Sequence, residues 1–149
     1  MSYDRSSLAA VLKLREGTGP MKNGRHMPYE DSVGKLTIGY GHNVEDNGLP
    51  SSIAGLLLDY DITEAEGECD RHIPWWRTQS PERQAALVHL MFNMGWGNGK
   101  RGLSTFRNTL KAFQEGRYDD AAQGFADSAW AKQVGPNRAL PVIGQIRNG

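Results

Sequence analysis

Acids and a histidine bracket one short run of the chain, YEDSVGKLTIGYGH at residues 29–42. Asp31 stands near its start, Thr37 follows six positions later, and His42 closes it. A further acid, Glu16, lies upstream at the end of an apolar segment with helical spacing. Two carboxylates in different environments can divide labour, one donating a proton while the other stabilises positive charge or orients a water. Each residue alone has a blander account. A glutamate at a helix end is usually a solvated surface group. Asp31 can cap a turn, Glu30 beside it is an equal candidate, and a lone histidine is more often structural than a base or a metal ligand.

Those residues need elements to hold them. Leu8, Val11, Leu12 and Leu14 recur at helical spacing and Gly17 supplies a stop, so residues 4–15 read as a helix with Glu16 at its C-terminal end. The stretch GTGPMKNGRHMP, residues 17–28, is rich in Gly and Pro without a period and reads as a loop. Val33, Leu36, Thr37, Ile38 and Tyr40 favour strands and Gly34-Lys35 offers a turn, which predicts a small β-hairpin over 29–42. Its glycines allow tight turns and close backbone approach. Beyond Pro50, helical spacing resumes through Ile53, Leu57, Ile62, Cys69 and Ile73, with Gly55 and Gly67 leaving open one helix or two shorter ones. Ser80-Pro81 marks a helix start, Leu87, Leu90, Met91 and Met94 keep one face apolar, and Gly95 ends the segment. Thr105–Glu115, Asp119–Asp127 and Pro136–Arg147 read as further helices.

Composition narrows the function classes. The 149 residues suit one α+β domain, mainly helical with a small sheet, and a chain of that size buries roughly 70 % of the surface exposed when unfolded. Lys and Arg number 17 and so do Asp and Glu, so net charge gives no field to attract nucleic acid or an anionic membrane. The single cysteine, Cys69, cannot form an internal disulfide, and no Cys/His spacing suggests a structural zinc site. The N-terminal MSYDRSSLAAVLKLREG reads as neither signal peptide nor membrane span. Synthesis is therefore expected to leave the protein in the cytoplasm, with no membrane insertion.

Taken in order, Glu16-Gly17 after a helix, Tyr29-Glu30-Asp31, and Thr37-Ile38-Gly39-Tyr40-Gly41-His42 resemble the pattern of the phage-type lysozymes, a glycoside hydrolase family that includes the enzymes of T-even phages. Phe92-Asn93-Met94-Gly95, Phe106-Arg107-Asn108-Thr109-Leu110, Asp119–Ala122, Ser128-Ala129-Trp130 and Pro136-Asn137-Arg138-Ala139 resemble the family's C-terminal lobe, so nearly the whole chain is covered. One departure is the loop between Glu16 and Asp31, which is longer than in the T-even phage enzymes.

The resemblance implies a lysozyme-like catalytic domain over 1–149, with an N-terminal lobe to about residue 60 and a helical C-terminal lobe beyond it. It implies hydrolysis of the β-1,4 bond between N-acetylmuramic acid and N-acetylglucosamine in bacterial peptidoglycan. Breaking such a bond needs a proton on the leaving oxygen and stabilisation of a cationic sugar-like transition state. By resemblance, Glu16 is the general acid, Asp31 with Thr37 positions water or stabilises charge, and attack by water inverts the anomeric carbon. Arg138 resembles the family arginine that approaches the catalytic glutamate. His42 is expected to pair with a carboxylate on the following helix, for which Asp61 in LLLDYDI is the best match. Phe92, Asn93, Gly95 and Thr109 match positions lining the family's cleft. Trp75, Trp76 and Trp96 could stack on sugars, with Trp75 and Trp76 equally suited to core or rim packing. Neither metal nor organic cofactor is implied, and a monomer is the default. A catalytically inactive wall-binding module and a lytic transglycosylase are the rival readings. As a free endolysin the protein would depend on a holin-type partner for release; a virion-associated lysozyme is the alternative.

Overall fold

The computed structural model describes residues 2–149. The chain divides into two compact units, Met1–Gly55 and Leu56–Gly149.

The N-terminal unit opens with α1 (Arg5–Glu16), capped by Asp4. The Asp4 carboxylate accepts from the Ser6 N–H at 2.9 Å and the Ser7 hydroxyl at 2.6 Å. These bonds, the Ser7 side chain's foremost, hold the Asp4 carboxyl below the usual carboxylate range. Gly17 ends the helix, returning its N–H to the Lys13 carbonyl, which makes Glu16 the last helical residue. The apolar side chains that predict α1 stay on its surface, Leu14 being 86 % exposed. The strands of this unit are two or three residues long, too short to present an apolar face that would cover them. Thr37 is the one buried residue between positions 2 and 55.

Residues 17–28 are not a plain loop. β1 (Met21–Lys22) and β2 (Arg25–His26) pair antiparallel with Met21 opposite His26. Asn23 and Gly24 turn between them at φ +51° and +74°, the positive values that a tight hairpin matching the twist of its strands requires. The hairpin expected over 29–42 gains a third strand. β3 (Tyr29–Glu30), β4 (Leu36–Ile38) and β5 (His42–Asn43) form an antiparallel sheet in that order, with Thr37 opposite both Tyr29 and Asn43. Asn43 then caps the short helix α2 (Val44–Asn47), its side chain accepting the Asp46 N–H at 3.0 Å.

The glycines at 55 and 67 do not divide the next helix: α3 runs unbroken over Ser51–His72 and carries the boundary between the units. The rest of the C-terminal unit is helical. α4 (Pro81–Met94) starts at Ser80, whose hydroxyl oxygen accepts the Arg83 N–H, and stops at Gly95. α5 (Arg107–Gln114) begins later than its sequence spacing suggests because Leu103–Thr105 forms a 3-10 turn. α6 (Tyr118–Ala126) and α8 (Pro136–Asn148) fall close to expectation, whereas α7 (Ala129–Val134) is an addition, capped by Ser128.

The core belongs to this unit. Leu87 and Leu90 of α4, Phe113 of α5, Phe125 of α6, and Val142 and Ile146 of α8 are fully buried, each such side chain stabilising the fold by roughly 1.5–3 kcal/mol. α6 packs on α5 and α8, and α8 on α4. Phe106 stacks on Phe125 at 4.9 Å between ring centres. Between α4 and α5 the chain closes on itself, Leu103 N–H bonding the Gly95 carbonyl at 2.9 Å and Ser104 N–H that of Trp96 at 2.8 Å. Gly97, at φ +79°, lies so near the Arg101 carbonyl that a Cβ would overlap it.

Two glycine substitutions should therefore act in opposite directions. Gly67 is helical, and a Cβ there would meet only the Arg71 guanidinium, at an ordinary 3.7 Å. Gly67→Ala is expected to stabilise by roughly 0.5–1 kcal/mol. Gly97→Ala should cost at least about 1–2 kcal/mol from the left-handed backbone alone, with the overlap added. Thermal melting of the two variants checks both signs.

Candidate active site

Asp31 is fixed by the turn it closes. Its Oδ1 accepts the Val33 and Lys35 N–H groups, both at 2.9 Å. Its own N–H bonds the Lys35 carbonyl at 2.9 Å, and its carbonyl accepts the Gly34 N–H at 3.0 Å. Oδ2 takes no hydrogen bond from any described residue, so this carboxylate is anchored by one oxygen and open at the other. Glu30 lies exposed in β3 with Leu36 opposite. The neighbouring acids are thus unlike: only Asp31 is drawn into the turn.

Thr37 sits in the central strand, 2 % exposed, and its hydroxyl donates to the Lys35 carbonyl at 2.8 Å. Lys35 therefore ties the two residues together through its backbone. Its side chain is held as well, Nζ lying 3.3 Å from Glu45 and 3.0 Å from Asp46.

Glu16 is exposed at the end of α1, and Gly41 lies against it. A Cβ on Gly41, at φ +81°, would stand 3.1 Å from Glu16 Oε2 and 3.5 Å from its carboxyl carbon. The turn between β4 and β5 thus meets the carboxylate with bare backbone. Around it, the Tyr40 ring has Lys13 Nζ over its face at 5.3 Å and His26 edge-on at 5.0 Å. His26 Nδ1 in turn lies 3.2 Å from the Thr18 carbonyl, so the β1–β2 hairpin touches both the segment after Glu16 and the residue before Gly41. Sequence assigns no site role to Lys35, Gly41, Tyr40 or His26, although Tyr40 and Gly41 stand in the motif and Lys35 in the expected turn. The Gly34-Lys35 turn and the Asn23-Gly24 pair were the available signals.

His42 has a partner within its unit, Nε2 bonding the Gly48 carbonyl at 2.7 Å. Its expected pairing with Asp61, and that of Arg138 with Glu16, would join the two units and stand as proposals.

Of the four cleft residues expected from the C-terminal unit, two line separate cavities. Phe92, 45 % exposed, lines a cavity of about 500 Å3 with Ile62, Trp76 and Val88. Asn93 lines another of about 490 Å3 with Phe106, Trp130 and Gln133, and its amide donates to the His89 carbonyl at 3.2 Å. Gly95 caps α4. Thr109 packs against α6, where a Cβ on Gly124 would press into its hydroxyl. The tryptophans separate too. Trp76 is a core residue whose Nε1 donates to Asp70 at 2.7 Å. Trp75 and Trp96 are half-buried.

Two titrating groups of this unit stand outside the chemistry. Hydrogen bonds from Arg77, then from Trp76, hold the Asp70 carboxyl below its usual range. Burial, with Asp70 adding to it, pushes the Cys69 thiol up to about 12, so at neutral pH it is no nucleophile.

Residues 21–147 match the phage lysozyme family. The chain belongs to that family. The match takes in Asp31, Thr37 and the C-terminal helices but begins after Glu16. Two relatives in Dictyostelium discoideum, Probable T4-type lysozyme 1 and Probable T4-type lysozyme 2, are each 25 % identical in alignments that cover 97 % of this chain and 95 % of theirs. The fold is accordingly the α+β lysozyme type, a small antiparallel sheet followed by helices. Membership carries a muramidase-like, peptidoglycan-hydrolysing function at the level of the family. Among the described residues, no helix is long and apolar enough to cross a membrane.

The Gly41 contact can be isolated from backbone strain. Gly39 and Gly41 both have positive φ, but a Cβ on Gly39 meets nothing within 4 Å. Gly39→Ala and Gly41→Ala should each lose about 1–2 kcal/mol of stability to backbone strain and so melt at a lower temperature. Only Gly41→Ala should displace the Glu16 carboxyl carbon resonance in a 13C titration.

Proposed function

We propose that the protein is a muramidase that cuts the β-1,4 bond between N-acetylmuramic acid and N-acetylglucosamine in bacterial peptidoglycan. The observation that carries this reading is the unequal pair of acids on one unit. Asp31 is pinned through Oδ1 with Oδ2 left open, and Glu16 is exposed against the bare backbone of Gly41. In the proposed reaction Glu16 protonates the leaving glycosidic oxygen. The open oxygen of Asp31 orients the attacking water or stabilises the developing cation. Thr37 spends its hydroxyl proton on Lys35, so it can take part only as an acceptor of a water's hydrogen.

Water attacks directly, without a covalent sugar-enzyme intermediate, and inverts the anomeric carbon. Such a reaction holds its carboxyl groups roughly 6.5–9.5 Å apart to admit the water, against about 5–5.5 Å in retaining enzymes. The pairing of His42 with Asp61 and the approach of Arg138 to Glu16 belong to the same proposal as supporting contacts. So does an endolysin role in host lysis with release by a holin-type partner.

Glu16→Gln keeps the side chain's shape but cannot donate a proton, and is expected to reduce turnover by roughly 10²–10⁴-fold or more with the melting temperature nearly unchanged. Asp31→Asn should lose most activity and Glu30→Gln little; the reverse order would show that the wrong neighbour is assigned.

The products separate the rivals. Mass spectrometry of digested peptidoglycan should show fragments that have gained a water, whereas a transglycosylase adds none and an inactive binding module releases nothing. NMR of the first-formed product should show the α-anomer. An initial β-anomer, or a glycosyl ester trapped on Asp31, would reject inversion and leave hydrolysis standing.

A further inference from the structure

A cavity of about 900 Å3 in the C-terminal unit, larger than those lined by Phe92 and Asn93, contains none of the residues assigned above to the reaction. Ile73 and Leu110 give it an apolar base, Trp75 and Trp96 its walls, and Arg107 and Lys111 its charge. Both tryptophans are held by ring contacts: Trp96 stacks on His72, itself part of the lining, at 4.6 Å with the rings 5° from parallel, and Trp75 packs on Phe113 at 5.6 Å. The two cations lie four positions apart on α5 and so share one face of that helix.

Their charge is only partly neutralised locally, because the lining holds one carboxylate, Glu115, against the two cations. Arg107 makes no ion pair among the described residues. Lys111 Nζ is 3.9 Å from Glu115, whose other oxygen is already held by Arg117 at 2.9 Å. In a chain with equal numbers of acidic and basic residues, this cavity therefore carries a local excess of positive charge. The loop beside it is preset: Ser104 Oγ accepts the Gly99 N–H at 2.8 Å and donates to the Arg101 carbonyl at 3.1 Å. A Cβ on Gly99 would stand 3.8 Å from the Arg107 guanidinium, an ordinary contact. A concave apolar floor with a few convergent polar groups is the usual form of a ligand site.

We propose that this cavity is a second, non-catalytic site for an anionic group carried on the wall polymer. The Arg107 fork and Lys111 take the carboxylate or phosphate oxygens, and Trp75 and Trp96 take the sugar or apolar body that bears them. The inference rests on the muramidase reading for its choice of polymer. Carboxylates of the stem peptide and phosphodiesters of an attached polymer share this chemistry, and the test distinguishes them.

The full-length Glu16→Gln protein, which should not consume its ligand, is titrated by isothermal calorimetry with three probes: a neutral N-acetylglucosamine oligomer, a soluble muropeptide with free carboxylates, and a glycerol-phosphate oligomer. At least one anionic probe should bind saturably, and the one that does identifies the source. Adding Arg107→Gln or Lys111→Gln should weaken that binding about tenfold each, and raised salt should weaken it as well. Arg107→Lys, which keeps the charge but not the fork, should fall between. Melting temperatures confirm that these variants fold, both side chains being exposed.

The proposal is overturned if neither anionic probe binds, if their binding ignores both substitutions, or if the neutral oligomer loses as much as they do. Failure of the muramidase reading is a different result. A wild-type protein that releases no product from peptidoglycan would sink that reading, while binding to this cavity is measured without turnover.

Discussion

The backbone of Lys35 holds together what the N-terminal unit needs for chemistry. Its N–H goes to the Asp31 carboxylate, and its carbonyl receives both the Asp31 N–H and the Thr37 hydroxyl. Each such bond adds only about 0.5–1.5 kcal/mol net, but leaving a buried partner unpaired costs roughly 1–3 kcal/mol. Thr37 is the buried partner here, so the alternatives are penalised more than the native arrangement is rewarded. The geometry of β3 and β4 follows, and with it the orientation in which Asp31 leaves one oxygen open.

The two units obtain order by different means. Leu56–Gly149 has a packed centre in which Phe113, Phe125, Leu87 and Ile146 are inaccessible to solvent, and its helices are placed by burial. Residues 2–55 have no such centre and rely on caps and turns: Asp4 on α1, Asp31 between β3 and β4, Asn43 on α2. Short polar side chains that satisfy backbone groups locally do there what apolar area does elsewhere.

This division explains what could be read from the residues. α1 and α4 were legible from apolar spacing and from local end signals, Gly17 in one and Ser80, Pro81 and Gly95 in the other. The β1–β2 hairpin was hidden by the Gly and Pro around it, although Asn23-Gly24 is itself a hairpin signal. The order of Glu16, Asp31 and Thr37 was legible as a motif, and the family match includes the latter two. Lys35 was legible only as half of a turn; its hold on Asp31 and Thr37 was not, because it acts through peptide groups that have no side-chain signature. Nor could spacing reveal that Thr109 lies against Gly124 or that Phe92 and Asn93 line separate cavities. Those facts depend on which helix faces which, and α7 had not been anticipated at all.

The lack of a buried centre in residues 2–55 bears on motion as well as on stability. Regions with little buried apolar surface and solvent-accessible backbone bonds open at low free energy, as separate cooperative units that exchange their amide hydrogens well before the whole molecule unfolds. The strands carrying Asp31 and Thr37 fall in that class, and the helices around Phe125 in the opposite one. Fluctuation is thus concentrated where the acids are mounted, and the packed helical part sets the global resistance to unfolding. A mutational survey scored by overall stability would report chiefly on the latter, and changes around Lys35 would register in the exchange rates of a few amides.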